Sequence, residues 1–547
     1  MTTTSSVPTN ARPLVEAYWP ADRSVGLIDE TIGSLLAGRA AAHPGRAALV
    51  GVRHGSGIIE RLTYAELFDE STQVATALTQ LVRPGSFVAL WAPNVIEWTI
   101  IQYGAALAGM VLVALNPVLR EGDLDYALRH SGAELLLHAD HSREYAMCEV
   151  AERVCAAIPG TRRISLAQVD VWKSDAAAFR GNWVTPTDAE TPAMLQYTSG
   201  TTGRPKGVLL SHRALVNVAK LTMEAVQVPP AAKCVNPLPL FHTAGCVIAT
   251  LGPLWVAGTV VLCERFAPGP VLATLRQERP AVLLYVPTVL RSLLDHQRAS
   301  AEPAPQVPII MGGASDVSAE LIDGAAATFG ASVFNLYGQT ELAPVLTLTR
   351  PRDSREDRLT TVGRPLPQVE CKIVDPEDGR TLPVGEKGEI CARGYQQFIE
   401  YLHDPDATAE ALDAEGFVRT GDLGTMDDRG FVTVGGRLKE LIIRGGENIS
   451  PAEIEQLVAG HESVDEAVAV GLPDTYLGET VAVVCRLVAS HRSGLKESLD
   501  AHIRARAAAF KVPARWFVVD QFPVTPTGKV RRFALREAIL SNELQEL

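Results

Sequence analysis

Apolar positions along this chain switch repeatedly between two spacings. In TYAELFDESTQVATALTQL, Leu67, Val74, Leu78 and Leu81 recur at helical intervals, which places them on one face of a helix. SFVALWAP, shortly after it, is a continuous apolar run of the kind a strand buried on both faces shows. The same succession returns at GAALAGMVLVALNP and at VLATLRQERPAVLLYVPT. Helix alternating with buried strand predicts an α/β fold, a large multi-subdomain N-terminal region of mixed and largely parallel sheets flanked by helices. No period of about twenty to fifty residues repeats, which argues against a solenoid.

From about residue 360 the texture changes. VECKIVDPEDGRTLPVGEKGEICARG reads as short strands joined by Asp-Gly and Gly-Glu turns, a small β-rich unit. Beyond GGRLKELIIRGGENISPAEIEQL the pattern is mixed α+β to the end. The pairs Gly435-Gly436 and Gly445-Gly446 bracket RLKELIIR and supply flexible backbone on either side of it. The expected division is a loose polar tail at 1–25, an N-terminal domain at 26–438 and a small mobile C-terminal domain at 439–547. One run, Cys246 to Cys263, carries no charge over eighteen residues. Gly252-Pro253 interrupts it, so a buried helix, a turn and a buried strand are expected, and no transmembrane segment.

Composition narrows the class. With 47% hydrophobic and 21% charged residues, the 547-residue chain is an ordinary globular protein of roughly three or four domain-sized units. Fifty basic against sixty-three acidic residues give a net charge of −13, which argues against a nucleic-acid-coating protein. Eight cysteines are scattered without C-x-x-C spacing, so reduced thiols and a cytoplasmic location are the expectation. The N-terminus MTTTSSVPTN lacks the basic and apolar regions of a signal peptide.

The candidate chemistry starts at QYTSGTTGRPKG, residues 196–207. AMLQY reads as a strand leading into this loop, and ALVNVAKLTMEAV as a helix a few residues beyond. Backbone N–H groups, the hydroxyls of Thr198, Ser199, Thr201 and Thr202, the glycines Gly200 and Gly203, and the Lys206 ammonium suit phosphate oxygens. It is not a Walker A loop: counting from Gly200, Pro205 stands where the second glycine belongs, and Gly207 follows Lys206 in place of a hydroxyl.

YTSGTTGRPKG resembles the phosphate loop of the adenylate-forming superfamily, and further motifs follow in that family's order. LPLFHTAG (238–245) resembles its acyl-pocket motif, GGAS (312–315) and NLYGQTE (335–341) its adenine and magnesium motifs, and RTGDLG (419–424) its ribose motif. GRLKELIIRGGENISPAEIE (436–455) resembles the hinge region and PVTPTGKVRR (523–532) the C-terminal lysine motif. The resemblance runs from about residue 30 to the end, and it is closest to the acyl-CoA synthetase branch.

By that resemblance Lys529 bridges a substrate carboxylate and the ATP α-phosphate, where two anions must be brought together. Glu341 holds Mg²⁺, and Thr340 donates to the α-phosphate. Tyr337 stacks on adenine, Gly313, Ala314 and Ser315 line the base, and Asn335, Gly338 and Gln339 complete the nucleotide site. Asp422 accepts from the ribose hydroxyls with Arg437 nearby, His242 borders the carboxylate, and Lys439 is the hinge. Gly445 and Gly446 flank a thiol channel, while Ala244, Gly245, Cys246, Gly338, Pro344 and Val345 line an uncharged acyl pocket.

The implied reaction makes acyl-adenylate and pyrophosphate from a fatty or aryl acid and ATP, then passes the acyl group to coenzyme A. A carrier-protein thiol, a luciferase-like oxygenation, activation of another oxyanion such as nitrite with an amine acceptor, and a catalytically inactive binding role stay open at this point. The intact Lys206, Glu341, Asp422 and Lys529 speak against the last.

Overall fold

The computed structural model describes residues 13–168, 185–198, 205–313, 317–444, 447–488, 494–507, 509–525 and 529–547. The chain divides into two compact units. Among the described residues, one comprises those within 19–371 and 392–418, the other those within 13–18, 372–391 and 419–547. The boundary expected at 438/439 falls inside the second unit.

The first unit is built on two large sheets. A seven-stranded sheet runs in the order 400–401, 206–211, 192–198, 111–115, 87–91, 135–138 and 162–165. From 192–198 onward every neighbour is parallel, and the two strands before it pair antiparallel. The nine-stranded sheet has a parallel centre, Ser332–Tyr337, Ile309–Gly313, Val282–Tyr285, Lys233–Asn236, Thr259–Leu262 and Ala47–Val52, with antiparallel margins.

Local sequence explains the elements between the strands. The helix Tyr64–Leu81 starts where Thr63 and Glu66 cap each other reciprocally, satisfying two otherwise orphaned N–H groups. Its neighbour Ile96–Leu107 is buried at every position, so its apolar residues run all round the helix and not along one stripe. The apolar run 246–263 lies inside the first unit: a π-helical turn Ala244–Ile248, a short helix Leu251–Trp255 and the strand Thr259–Leu262. Gly252-Pro253 does not break it. Pro253 sits in the first turn of the short helix, where its missing N–H costs no bond, and the turn comes later, at Ala257 with φ +50°. Among the described residues no helix is long and apolar enough to cross a membrane.

The second unit contains Gly435, Gly436 and the mixed α+β region toward the C-terminus. Val464–Asp474 and Gly478–Leu487 form a long antiparallel pair, and Arg515–Val518 joins it in parallel. Helices Pro451–Ala459 and Leu495–Arg504 bury Ile454, Val458, Leu499 and Ile503 in one cluster with Trp516. Helix Arg532–Leu540 closes a second cluster with Phe517 and Phe522.

Candidate active site

The phosphate-loop segment is a hairpin. Strand Pro192–Thr198 pairs in parallel with Val111–Leu115, and after the loop the chain returns as an antiparallel strand, Lys206–Ser211, before the helix His212–Val226 begins. The expected strand–loop–helix thus contains one more strand. Val208, Leu209 and Leu210 are buried in sequence and pair with Leu195 and its neighbours, and Ser211 then caps the helix by accepting the Ala214 N–H. Thr198 and Lys206 face each other across the hairpin base. The Tyr126 hydroxyl donates to the Pro205 carbonyl at 2.8 Å, and the Tyr197 hydroxyl to the Ala127 carbonyl at 2.9 Å, which ties the base of the loop to the helix Glu121–Ser131. Ser199, Gly200, Thr201, Thr202 and Gly203 lie outside the described residues, as do Ala314, Ser315, Gly445 and Gly446.

Lys206 and Glu341 are brought together by a residue that the sequence motifs do not include. Tyr401 lies in the edge strand Glu400–Tyr401, paired to Val208 and Leu209. Its hydroxyl donates to Glu341 Oε1 at 2.7 Å, while the Lys206 ammonium sits over its ring, 4.6 Å from the centroid. The Phe398 N–H donates to the Glu341 carbonyl at 2.9 Å, and the Phe398 ring packs 4.9 Å from that of Tyr401. The second Glu341 oxygen accepts no hydrogen bond from the described residues. A buried carboxylate held through one oxygen, with the other available, suits a hard divalent cation, so the residues present fit Mg²⁺.

Glu341 occupies its place because the parallel strand Ser332–Tyr337 ends in Gly338 and a tight 3-10 turn, Thr340–Leu342. Thr340 is buried beside it, and Tyr337, Gly338 and Gln339 are half-buried at the strand's carboxyl end, the side where parallel α/β sheets take their ligands. A Cβ on Gly313 would lie 2.0 Å from the Leu336 carbonyl oxygen, and one on Gly338 2.1 Å from that of Pro344. Glycine therefore allows these backbones to close on one another at both positions. Asn335 is placed in the wall behind: its Oδ1 accepts from the Tyr285 hydroxyl at 2.7 Å and its amide donates to the Arg358 carbonyl at 3.2 Å.

The acyl-pocket residues separate by depth. His242, Ala244 and Pro344 are half-buried, whereas Gly245, Cys246 and Val345 are buried behind them. The Ala244 N–H donates to His242 Nδ1 at 3.2 Å, so the proton of the neutral ring is on Nε2. The Cys246 sulfur is held by the Gln196 amide at 3.4 Å, and burial pushes its thiol pKa up, so it behaves as an inert wall residue.

In the second unit a different trio assembles. Asp422 and Arg437 are cross-strand partners, and Arg437 Nε donates to Asp422 Oδ1 at 2.9 Å. Asp422 is buried, whereas the Arg437 side chain is about half exposed. Lys529 is held to Thr525 by two hydrogen bonds, its N–H donating to Thr525 Oγ1 and its carbonyl accepting from the Thr525 N–H. Water reaches the residue, yet neighbouring atoms crowd it. That desolvation is the first cause of a pKa below the ordinary lysine range; repulsion from Arg437 adds to it, against the pull of Asp422 and Glu440. Lys439 falls in the 3-10 turn Leu438–Glu440, and its side chain lies outside the described residues. Gly436 has φ +123°, and a Cβ there would lie 2.7 Å from Ser450 Oγ, so this position of the glycine pair demands glycine.

Matches with known proteins cover most of the chain. Residues 36–402 match the AMP-binding enzyme family and 453–529 its C-terminal domain. The chain belongs to the AMP-binding enzyme family, in the acyl-CoA synthetase branch of the adenylate-forming superfamily. It is 33% identical to a putative acyl-CoA synthetase of Bacillus subtilis, over 93% of this chain and 97% of that protein. It is 30% identical to a mitochondrial medium-chain acyl-CoA ligase of Rattus norvegicus, over 93% and 88%. Among solved structures it resembles the o-succinylbenzoate CoA synthetase of Bacillus subtilis in complex with its acyl-adenylate intermediate, with TM-score 0.79, 29% identity, and 92% and 97% coverage.

Proposed function

We propose that this chain is an AMP-forming acid–CoA ligase acting on an uncharged fatty or aryl acid. The observation that carries the reading is the Lys206–Tyr401–Glu341 arrangement, a cation and a carboxylate fixed on one aromatic ring at the carboxyl end of parallel strands. In the first half-reaction a carboxylate oxygen attacks the α-phosphorus of ATP, and the bond to the β-phosphate bridging oxygen breaks to release pyrophosphate. Lys206 and the hairpin loop hold the departing β- and γ-phosphates. Mg²⁺, when held by Glu341, neutralises phosphate charge. Asp422 accepts from the ribose hydroxyls, and Lys529 offsets the charge of carboxylate and α-phosphate as they meet. In the second, the CoA sulfur attacks the acyl carbonyl and AMP leaves.

The C-terminal residues 439–547 would present Lys529 for the first step and turn about Lys439 for the second. The small and apolar Ala244, Gly245, Cys246, Pro344 and Val345 support an uncharged acyl body, and the medium-chain ligase among the relatives supports an aliphatic one. None of the eight cysteines is in a disulfide, which fits a reducing compartment.

The test is release of AMP and pyrophosphate across a panel of medium-chain, long-chain and aryl acids, with and without CoA. Acid-dependent pyrophosphate release and CoA-dependent AMP release are expected. Absence of acid-dependent ATP turnover overturns the reading, and turnover with nitrite in place of a carboxylic acid replaces it.

A further inference from the structure

A group of metal-ligating side chains in the first unit takes no part in the chemistry above. His138 ends the strand Leu135–His138, Asp140 follows two residues later, and Cys148 stands in the first turn of the helix Met147–Ala156. A ring nitrogen of His138, a carboxylate oxygen of Asp140 and the Cys148 sulfur all lie within 4.8 Å of one another. His138 is fully buried, and Asp140 and Cys148 are half-buried, so the cluster has a closed back and an open front.

Each donor is already oriented by a neighbour. His138 Nδ1 lies 3.0 Å from the Ala139 carbonyl, to which only a protonated nitrogen can donate; Nε2 is then the nitrogen with the lone pair, and it is buried without a hydrogen-bond partner. Asp140 Oδ1 accepts from the Ser165 hydroxyl at 2.5 Å, which fixes the carboxylate plane. The Cys148 N–H donates to the Asp140 carbonyl at 3.1 Å, tying helix to loop. Ligands of metal sites are commonly steadied by such outer contacts.

Arg163 Nη1 lies 3.8 Å from the Cys148 sulfur, but its Nη2 is paired with Glu152 at 3.4 Å. His54 Nε2 already accepts the Asp140 N–H at 3.2 Å. With the thiol proton released on binding, the ligand set would be a thiolate, a carboxylate and an imidazole, two negative charges against a divalent ion.

We propose that His138, Asp140 and Cys148 form a binding site for Zn²⁺ or a similar borderline-soft divalent cation, with the fourth position open to water. Sulfur, nitrogen and oxygen donors together select such an ion over Mg²⁺ or Ca²⁺. Tetrahedral bonds of about 2.0–2.3 Å would bring the donors to roughly 3.5 Å apart, a closure of about an ångström. The bound ion would clamp the end of the strand to the start of the helix.

The test uses the full chain, desalted and titrated with Co²⁺ alone, followed by zinc content after equilibration with Zn²⁺. One equivalent and a thiolate-to-cobalt charge-transfer band are expected. Cys148→Ser removes the band and weakens binding at least tenfold, Asp140→Asn weakens it, and Cys155→Ser, one turn and more along the same helix, changes neither. A wild-type chain that takes up no Co²⁺, or a Cys148→Ser chain that retains the full equivalent, overturns the proposal. The wild-type spectrum decides the matter even where a variant misfolds.

Discussion

Removing the Tyr401 hydroxyl while leaving its ring separates the two contacts this residue makes. In Tyr401→Phe the 2.7 Å bond to Glu341 is lost and the Lys206 ammonium keeps its aromatic seat. A hydrogen bond to a charged group contributes about 1.5–3 kcal/mol net. Glu341 is buried, so little water is available to replace the lost donor. At about 1.4 kcal/mol per tenfold, kcat/KM for ATP should fall by roughly 10- to 150-fold. Tyr401→Leu also removes the cation–π contact, about 0.5–2 kcal/mol, and should fall by a further factor of roughly 2 to 30. The assay is the initial rate of pyrophosphate release at saturating acid with ATP and Mg²⁺ varied, on variants whose circular dichroism matches wild type. If Tyr401→Phe stays within twofold of wild type at every Mg²⁺ concentration, Tyr401 does not orient the Glu341 carboxylate for metal and phosphate.

Lys529→Ala should lower adenylation by about 10²–10³ while thioester formation from supplied acyl-adenylate is largely spared; equal loss in both half-reactions would contradict the assigned role. Because Lys529 sits below the ordinary lysine range, its ammonium, and with it the adenylation rate, is lost as pH rises through that lowered value. Arg437→Gln removes one repelling charge, so the alkaline limb of the pH–rate profile should move to higher pH even where the maximal rate drops. Burial holds His212 down to about 4, with Nδ1 accepting the Ile32 N–H, whereas the unfolded chain binds that proton near pH 6.5. Protonation therefore favours unfolding as pH falls below about 6.5, and about 2 kcal/mol of stability should go between pH 7 and pH 5. His212→Asn should flatten that slope in thermal-melt midpoints measured at the two pH values.

What the sequence made legible follows from the range of the interactions involved. Period and apolar runs are local, so the helix Tyr64–Leu81 and the buried parallel strands were readable from a dozen residues each. The return strand Lys206–Ser211 was not, because its partner is the strand before the loop and only pairing distinguishes it from loop. Pro253 misled for a related reason: its effect depends on where in a helix it falls, and the first turn tolerates it. Lys206, Glu341, Asp422 and Lys529 were recognisable because their motifs are contiguous. Tyr401 was missed because its partners stand sixty and nearly two hundred residues away, and EYLHDP carries no local sign of a carboxylate contact. The electrostatic link between Lys529 and the Asp422–Arg437 pair likewise exists only in three dimensions.

The hairpin that carries Asp422 and Arg437 pairs them directly, with an irregularity before Gly424 meets Val434. Its turn is closed by Asp427, which accepts from the Arg429 and Phe431 N–H groups, and by Gly430 at φ +82°. The strand Val418–Met426 is paired on its other side with Gly388–Gly394, so a pairing shift of one residue in this hairpin would move the edge strand Val432–Arg437 and send Arg437 to the opposite face, away from Asp422. Insertions and deletions are usually harmless in exposed turns, yet in 427–431 chain length sets the phase of the Asp422–Arg437 pair. A homologue that kept every motif residue but gained one position there would be a candidate for lost ATP binding that no motif search would flag.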